Sequence, residues 1–368
     1  MNLFPAFKPF SFALNWRWFK RVPNYFPAYS KQDCNALGKQ VSRQWIVLTL
    51  SVLSFSFACG CNRHSDSPSE AKEARPLDVA GEFSAPVVVK DKLNREIVFK
   101  TIPTRIVSLS PSTTELLFAL GLGPSLVGVT EHCNFPPEAL QIQRVGNGTL
   151  EGISRETIVS LQPDLILCKW DSHQPLVETF ERVGIPIVGL GPETIAAMFE
   201  EATLIGRITH RESSADELIR SMKDRLRTLT DSIAAINESE QNRVFYQVWD
   251  SPLMTAGPNS FIGELLVLAK LKNVFSDLTN RYTRVSSEVI VDRDPQIILA
   301  PTTHAVEVKL DSFAARPGWE KMSAVVDNRI YIIDGDQVSR CGPRLLDALE
   351  QIIQVAYPRI VKSKVELP

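Results

Sequence analysis

From residue 105 onward the chain alternates short apolar runs with amphipathic stretches. The first set of runs is Arg105-Ile-Val-Ser-Leu109, Leu126-Val-Gly-Val129, Leu165-Ile-Leu-Cys168 and Ile185-Pro-Ile-Val-Gly189. The second is Arg243-Val-Phe-Tyr-Gln-Val248, Gln296-Ile-Ile-Leu-Ala300 and Arg329-Ile-Tyr-Ile-Ile333. Short apolar runs separated by helical patterns read as strands buried on both faces of a parallel sheet. Helices are predicted after the first run, from Leu116 to about Gly121, and over 260–269 and 343–356. The pattern predicts two α/β lobes.

Between the two sets lies one long helical stripe. Ala215, Leu218, Ile219, Met222, Leu226, Leu229, Ile233 and Ile236 follow one another at intervals of one, three or four residues, and no Gly or Pro interrupts 213–236. The spacing predicts a straight helix of about 24 residues and ~36 Å. Ser214, with Glu217 three residues later, is the candidate capping box at its start. A helix of this length joining two lobes keeps them from swinging as they would on flexible loops.

Upstream, the pattern is that of an export signal. Lys39 and Arg43 precede residues 45–58 (WIVLTLSVLSFSFA), an uncharged apolar run. At 1.5 Å per residue that run spans about 21 Å, short of the ~30 Å hydrocarbon core, so it reads as a signal peptide rather than a membrane span. The exit, Ala58-Cys59-Gly60-Cys61, resembles a bacterial lipobox with Cys61 as the lipidated residue, although Ala58 stands where Leu is usual. Residues 62–76 are polar and read as a flexible tether. The predicted organisation is therefore 1–44, an extension and the charged signal flank; 45–61, the apolar signal and lipobox; 62–86, the tether; 87–209, the first lobe; 210–238, the bridging helix; and 239–368, the second lobe. Residues 1–40 fit no part of the signal, and one reading places the start of translation near Val41; peptides from 1–40 in a mass spectrum would contradict it.

Composition narrows the class. The chain has 368 residues, 44% hydrophobic and 22% charged, which is globular usage and excludes a disordered chain. The formal net charge is −2, but residues 1–61 carry seven Lys/Arg against the single acid Asp33. The body is therefore acidic, with no basic run, which argues against nucleic acid as a partner. Beyond the signal stand Cys133, Cys168 and Cys341, an odd number, so at most one disulfide is available in an oxidising compartment.

Several local patterns then occur in a telling order: Arg105-Ile-Val-Ser-Leu-Ser-Pro-Ser-Thr-Thr-Glu-Leu116, Gly128-Val-Thr130, Phe135-Pro-Pro-Glu138, Leu161-Gln-Pro-Asp-Leu-Ile166, Thr255-Ala-Gly257, Arg316-Pro-Gly-Trp319 and Gly342-Pro-Arg344. With the signal, tether, lobe, spanning helix and second lobe, the chain resembles the helical-backbone solute-binding proteins of ABC importers, which deliver cobalamin, siderophores and haem. The resemblance covers about 105–350 and is nearest to the cobalamin-binding branch. It implies an α/β fold of two Rossmann-like lobes with one long rigid helix bridging them and a ligand cleft between.

Ligands of open α/β sheets bind outside the carboxyl ends of the strands. Those positions here hold Thr130, His132, Cys133 and Phe135, then Lys169, Trp170 and His173, and in the second lobe Trp249, Asp250, His304, Asp336 and Arg340. Aromatic residues with few charges suit a large, planar, partly apolar ligand. Ordinary lobe-edge packing would equally account for Trp170 and Trp249. The resemblance adds that Asp336, Arg340 and Arg344 match a segment contacting corrin side chains, and that Tyr282 matches a cleft aromatic. It also departs: a ligand-stacking Trp is missing around Gly146-Asn-Gly-Thr149, and a cysteine pair of the second lobe has no counterpart, Ala269 falling near one position. Glu156 and Glu288, each near the start of a helix in its own lobe, match the family's acids that dock onto arginines of the permease; each would also offset a helix dipole. His132, His173 and His304 follow predicted strands, but none has the spacing of a metal motif; if iron is ligated directly, His132 is the candidate.

The expected function is that of a monomeric, lipid-anchored receptor of the periplasm or cell envelope. It would capture cobalamin, or alternatively a ferric siderophore or haem, and deliver it to a membrane permease and its ATPase. Arg144, Arg281, Arg284 and Arg340 could serve an anionic siderophore. An enzyme is the remote alternative. Ser, His and Asp residues stand at strand ends, yet G-x-S-x-G, a P-loop, G-x-G-x-x-G after a strand and H-E-x-x-H are all missing. No catalytic residue, catalytic cofactor or resident metal is expected.

Overall fold

A computed structural model describes residues 81–302 and 310–358. The export segment, Cys61, the tether as far as residue 80, and His304 lie outside the described residues. A hairpin of β1 (Glu82–Lys90) and β2 (Glu96–Thr101) comes first, its opening strand starting inside the stretch read as tether. Only one face of it is buried. Val89 and Phe99 enter the core of the first lobe, whereas the paired Val88 and Val98 stay about half exposed. A half-buried hairpin leaves a weaker apolar trace than a buried strand, so the sequence pattern passes over it. Asp91 sets its turn by accepting the backbone N–H groups of Leu93 and Arg95 through Oδ1, each at 3.0 Å.

The first lobe is built on β3 (Ile106–Ser108), α1 (Pro111–Ala119), β4 (Leu126–Val129), α2 (Arg155–Ser160), β5 (Leu165–Lys169), α3 (Trp170–Arg182) and β6 (Ile187–Leu190). Its sheet is wholly parallel, in the order β4-β3-β5-β6. Every residue of β3 and β6 is buried, as double-sided coverage by helices requires.

Two helices then cross between the lobes. α4 (Ile195–Ile208) and α5 (Glu212–Ser232) form a tight hairpin. Along α5, Ala215 and Ile219 pack in the first lobe, Met222, Leu226 and Leu229 in the second, and Leu218 touches both. Along α4 the order is reversed, with Ile195 and Met198 in the second lobe's core and Ala202, Ile205 and Ile208 in the first's. The predicted bridging helix is therefore present and has a partner. Gly206 permits their close approach, since a Cβ there would sit 2.8 Å from that of Ala215.

The ends of α5 differ from the expected ones. It starts at Glu212, so Ser214 lies already within the first turn, and the predicted capping box does not form. A sharp corner sets the start instead, with His210 in the left-handed region (φ +54°) and the Arg211 N–H donating to the Gly206 carbonyl at 2.7 Å. The helix stops at Ser232 rather than Ile236, and Lys270 Nζ takes up the carbonyls of Ala234 and Ile236 at 2.6 and 2.8 Å. Ile233 and Ile236 still reach the second core from the turns beyond.

The second lobe comprises β7 (Arg243–Trp249), β8 (Met254–Ala256), α6 (Phe261–Leu268), β9 (Lys272–Asn273), β10 (Tyr282–Arg284), α7 (Ser287–Arg293), β11 (Ile297–Pro301), α8 (Asp311–Ala314), α9 (Ser323–Val326), β12 (Ile330–Ile333), α10 (Gly335–Val338) and α11 (Leu345–Ala356). Strands β7, β11 and β12 are parallel and match the predicted runs. β8 and β10 extend this sheet antiparallel. The fold is thus mixed α/β with two lobes. Cys133, Cys168 and Cys341 are all buried and free. Among the described residues no helix is long and apolar enough to cross a membrane.

Candidate functional site

The carboxyl ends of the strands carry most of the predicted residues, and the structure sorts them into three kinds. The first are rings held at the surface. Trp249, at the end of β7, is 46% exposed while its Nε1 donates to the Ser251 carbonyl at 2.9 Å, so the indole offers a face rather than a donor. Arg316 steadies the neighbouring Asp250: its guanidinium lies over Phe313 and Trp319 and donates to Gln247 Oε1 and Asp250 Oδ1. Tyr282, 39% exposed, has its phenol pushed up to about 12 by burial and by the nearby Cys341. Trp170 begins α3 and lies against Gly191, where a Cβ would come 2.8 Å from Trp170 Cδ1. Phe135 is exposed and lines an open apolar groove of about 580 Å³ with Phe118, Ile142 and Pro343.

The second kind are supports beneath the surface. Thr130 is buried; its hydroxyl meets Cys133 Sγ at 3.2 Å, and its carbonyl accepts from Arg144 at 3.0 Å. His173 is 1% exposed. Its Nδ1 accepts the Lys169 N–H at 3.1 Å, which makes Nε2 the protonated nitrogen and donor to the Gly148 carbonyl at 2.8 Å. Burial, then the Gly148 contact acting the other way, leaves its pKa below the usual imidazole value. It ties two loops together. Among the described residues no group of three or more His, Cys, Asp or Glu side chains gathers as it would around a metal ion.

The third kind form an ion network that joins the lobes. Arg340 Nη1 donates to Glu115 Oε1 and Asn134 Oδ1, both at 2.8 Å. Its Nη2 donates to the His132 carbonyl at 3.0 Å and pairs with Asp336 Oδ1 at 2.7 Å. Asn134 Nδ2 closes the ring on Asp336 Oδ2 at 2.7 Å. Arg344 forks onto the same Glu115, Nε to Oε2 at 3.0 Å and Nη2 to Oε1 at 2.6 Å, and its guanidinium lies 4.0 Å from the Phe135 ring centroid. The sequence pointed to Asp336, Arg340 and His132 as ligand contacts; the structure brings them together and adds Glu115 and Asn134. An acid directly before the apolar end of α1, and two arginines four residues apart, were the signals available.

Glu156 and Glu288 occupy equivalent places. Each follows by two residues the serine that caps its helix: Ser154 accepts from Thr157 N, and Ser286 from Val289 N. Helix α2 leads into β5 and α7 into β11, both inner strands of their sheets. Both glutamates are exposed. The Glu288 carboxyl is held below the usual range by its own N–H and the Ser286 hydroxyl.

With this geometry in place, residues 106–337 match the model of a family described as periplasmic binding protein. The chain belongs to that family. It is 30% identical to an uncharacterized ABC transporter substrate-binding lipoprotein, YvrC, of Bacillus subtilis, over 87% of this chain and 98% of that one. It is 29% identical to the vitamin B12-binding protein of Vibrio cholerae, over 67% of this chain and 87% of the relative. Among solved structures, a possible iron-binding (periplasmic solute-binding) protein of Staphylococcus epidermidis aligns with a TM-score of 0.62 and 28% identity, covering 69% of this chain and 99% of that one. These relatives are solute-binding proteins.

Proposed function

We propose that this chain is the extracytoplasmic substrate-binding component of an ABC importer, that it captures cobalamin, and that it delivers it to the permease without chemical change. The observation that carries the ligand assignment is electrostatic. Of the four arginines an anionic chelate would use, three are already engaged: Arg144 by the carbonyls of Thr130 and Cys133, Arg281 by Glu193, and Arg340 by Glu115 and Asp336. Within the interlobe network two guanidiniums face two carboxylates. What the strand ends offer instead is aromatic surface from Trp249 and Tyr282. Flat apolar rings with neutralised polar groups suit a large ligand bearing amides better than one bearing several carboxylates. The likeness to the vitamin B12-binding protein supports the same reading.

A ferric siderophore or haem is the second reading, favoured by the exposed Arg284 and by the likeness to the possible iron-binding protein. Calorimetric titration of the purified protein with cyanocobalamin, a ferric siderophore and haem in parallel separates them. One-to-one binding of cyanocobalamin in the nanomolar range is expected; tight binding of either iron ligand without it would replace the ligand and keep the receptor.

In this reading Glu156 and Glu288 dock the two lobes onto permease arginines, a pairing that orients and selects the partner more than it adds affinity. Reversing both charges (Glu156→Lys with Glu288→Lys) is expected to abolish uptake while leaving ligand affinity as it was. Unchanged uptake would remove the docking role. Cys61 would carry the lipid anchor, and the receptor acts as a monomer. Loss of labelled-palmitate incorporation in Cys61→Ala checks the anchor.

A further inference from the structure

The lobes meet at the back through the α4–α5 hairpin, and again through the segment between β12 and α11. That segment lies against the first lobe at several points. Gly342 lies beside Ser112, where an added Cβ would come 3.4 Å from the Ser112 Cβ, and Arg340 and Arg344 both close on Glu115. The Glu115 side chain is 2% exposed, and those of Arg340 and Arg344 are 9% and 15% exposed. A carboxylate buried to that degree is tolerated only when its charge is met, and here both guanidiniums that meet it come from the other lobe. Opening the lobes would therefore break both ion pairs of Glu115 at once.

We propose that Glu115 is the keystone of an interlobe brace. It positions Arg340, and through Arg340 the Asn134–Asp336 pair, so that the spacing of the strand ends is fixed before any ligand arrives. Glu115 acts through these groups and need not touch the ligand. Selection is then by fit to a preset cleft rather than by closure around whatever enters. The effect on affinity rests on the proposed binding function, but the brace can be tested without a ligand.

The test is hydrogen–deuterium exchange on the full ligand-free chain, comparing wild type with Glu115→Gln and Arg344→Gln. Glu115→Gln keeps the shape and removes the charge; Arg344→Gln leaves Glu115 paired with Arg340. Amides of 132–136 in the first lobe and of 335–344 in the second are expected to exchange about tenfold faster in Glu115→Gln, and by a smaller factor in Arg344→Gln, while β5 and β11 are unaffected. A role confined to the first lobe's stability would instead loosen α1 and β3 and leave 335–344 unmoved, which would overturn the proposal. If Glu115→Gln does not fold by circular dichroism, Arg344→Gln decides alone, and unaltered exchange at 132–136 and 335–344 refutes the brace. In a parallel titration with cyanocobalamin, affinity is expected to fall about tenfold in Glu115→Gln. Faster exchange in both segments with no cyanocobalamin binding by wild type would sustain the brace and discard the ligand assignment.

Discussion

The two joins between the lobes are made of opposite materials. The back join is apolar: Ile195, Met198, Ala202, Ile205, Ala215, Leu218 and Met222 pack along two antiparallel helices. The front join is ionic, with Glu115 buried between Arg340 and Arg344. An apolar join tolerates small slips, because hydrophobic contact has no direction. A buried ion cluster does not, because each charge depends on a partner in one place. Together they make a hinge with little freedom: one side sets the axis, the other the spacing.

The sharpest way to break this contrast is to delete the front acid outright. Glu115→Leu strands the Arg344 guanidinium and leaves Arg340 with Asp336 as its counter-charge, and is expected to cost about 3–5 kcal/mol in denaturant unfolding. A loss within ~1 kcal/mol would mean that the cluster is solvated and the join is not ionic in any useful sense. Met222→Ala in the back join should cost about 2–4 kcal/mol from lost burial and the cavity left behind. It should leave exchange at 132–136 unchanged, whereas Glu115 variants should not.

Glu201 sharpens the comparison through pH. It sits buried in α4 at the crossover and accepts the Gly191 N–H at 2.5 Å. Burial pushes its carboxyl up to about 7, against which the Gly191 contact pulls down. The folded value lies above the unfolded one, so the group favours the native state below about pH 4.5, and this contribution is lost as pH rises through about 7. Glu201→Gln should therefore equal wild type in acid and exceed it above pH 7, by on the order of 3 kcal/mol. No growth of the difference between pH 4.5 and 7 would show the carboxyl to be solvated.

The smallest expected effect belongs to His173, whose folded pKa is lowered. Its contribution is present above the unfolded value near 6.5 and fades as pH falls below it. Exchange at 146–149, the loop held by the His173–Gly148 bond, should rise on acidification in wild type. The same rise in His173→Phe would place the sensitivity elsewhere.

The same contrast explains what the sequence could disclose. The back join is written as a stripe repeating every three or four residues from Ala215 to Ile236, and any reader of helical periodicity finds it. The parallel strands appear as dense apolar runs for a similar reason. The front join pairs residues 225 and 229 positions apart, and a contact of that kind has no period. Arg340 and Asp336 were visible as polar residues after a strand, but not that each other, Asn134 and Glu115 already occupy them. Glu115 was in view within Ser-Thr-Thr-Glu-Leu-Leu, an acid that only tertiary structure explains. The β1–β2 hairpin escaped because half its valines face water, and the start of α5 because a backbone corner, not a side-chain cap, decides it.

The most direct test of a hinge held on both sides is small-angle X-ray scattering of the protein with and without saturating cyanocobalamin. The account predicts matching curves apart from the added ligand mass, with no contraction of the radius of gyration. A contraction of the kind produced by wide lobe closure would contradict it.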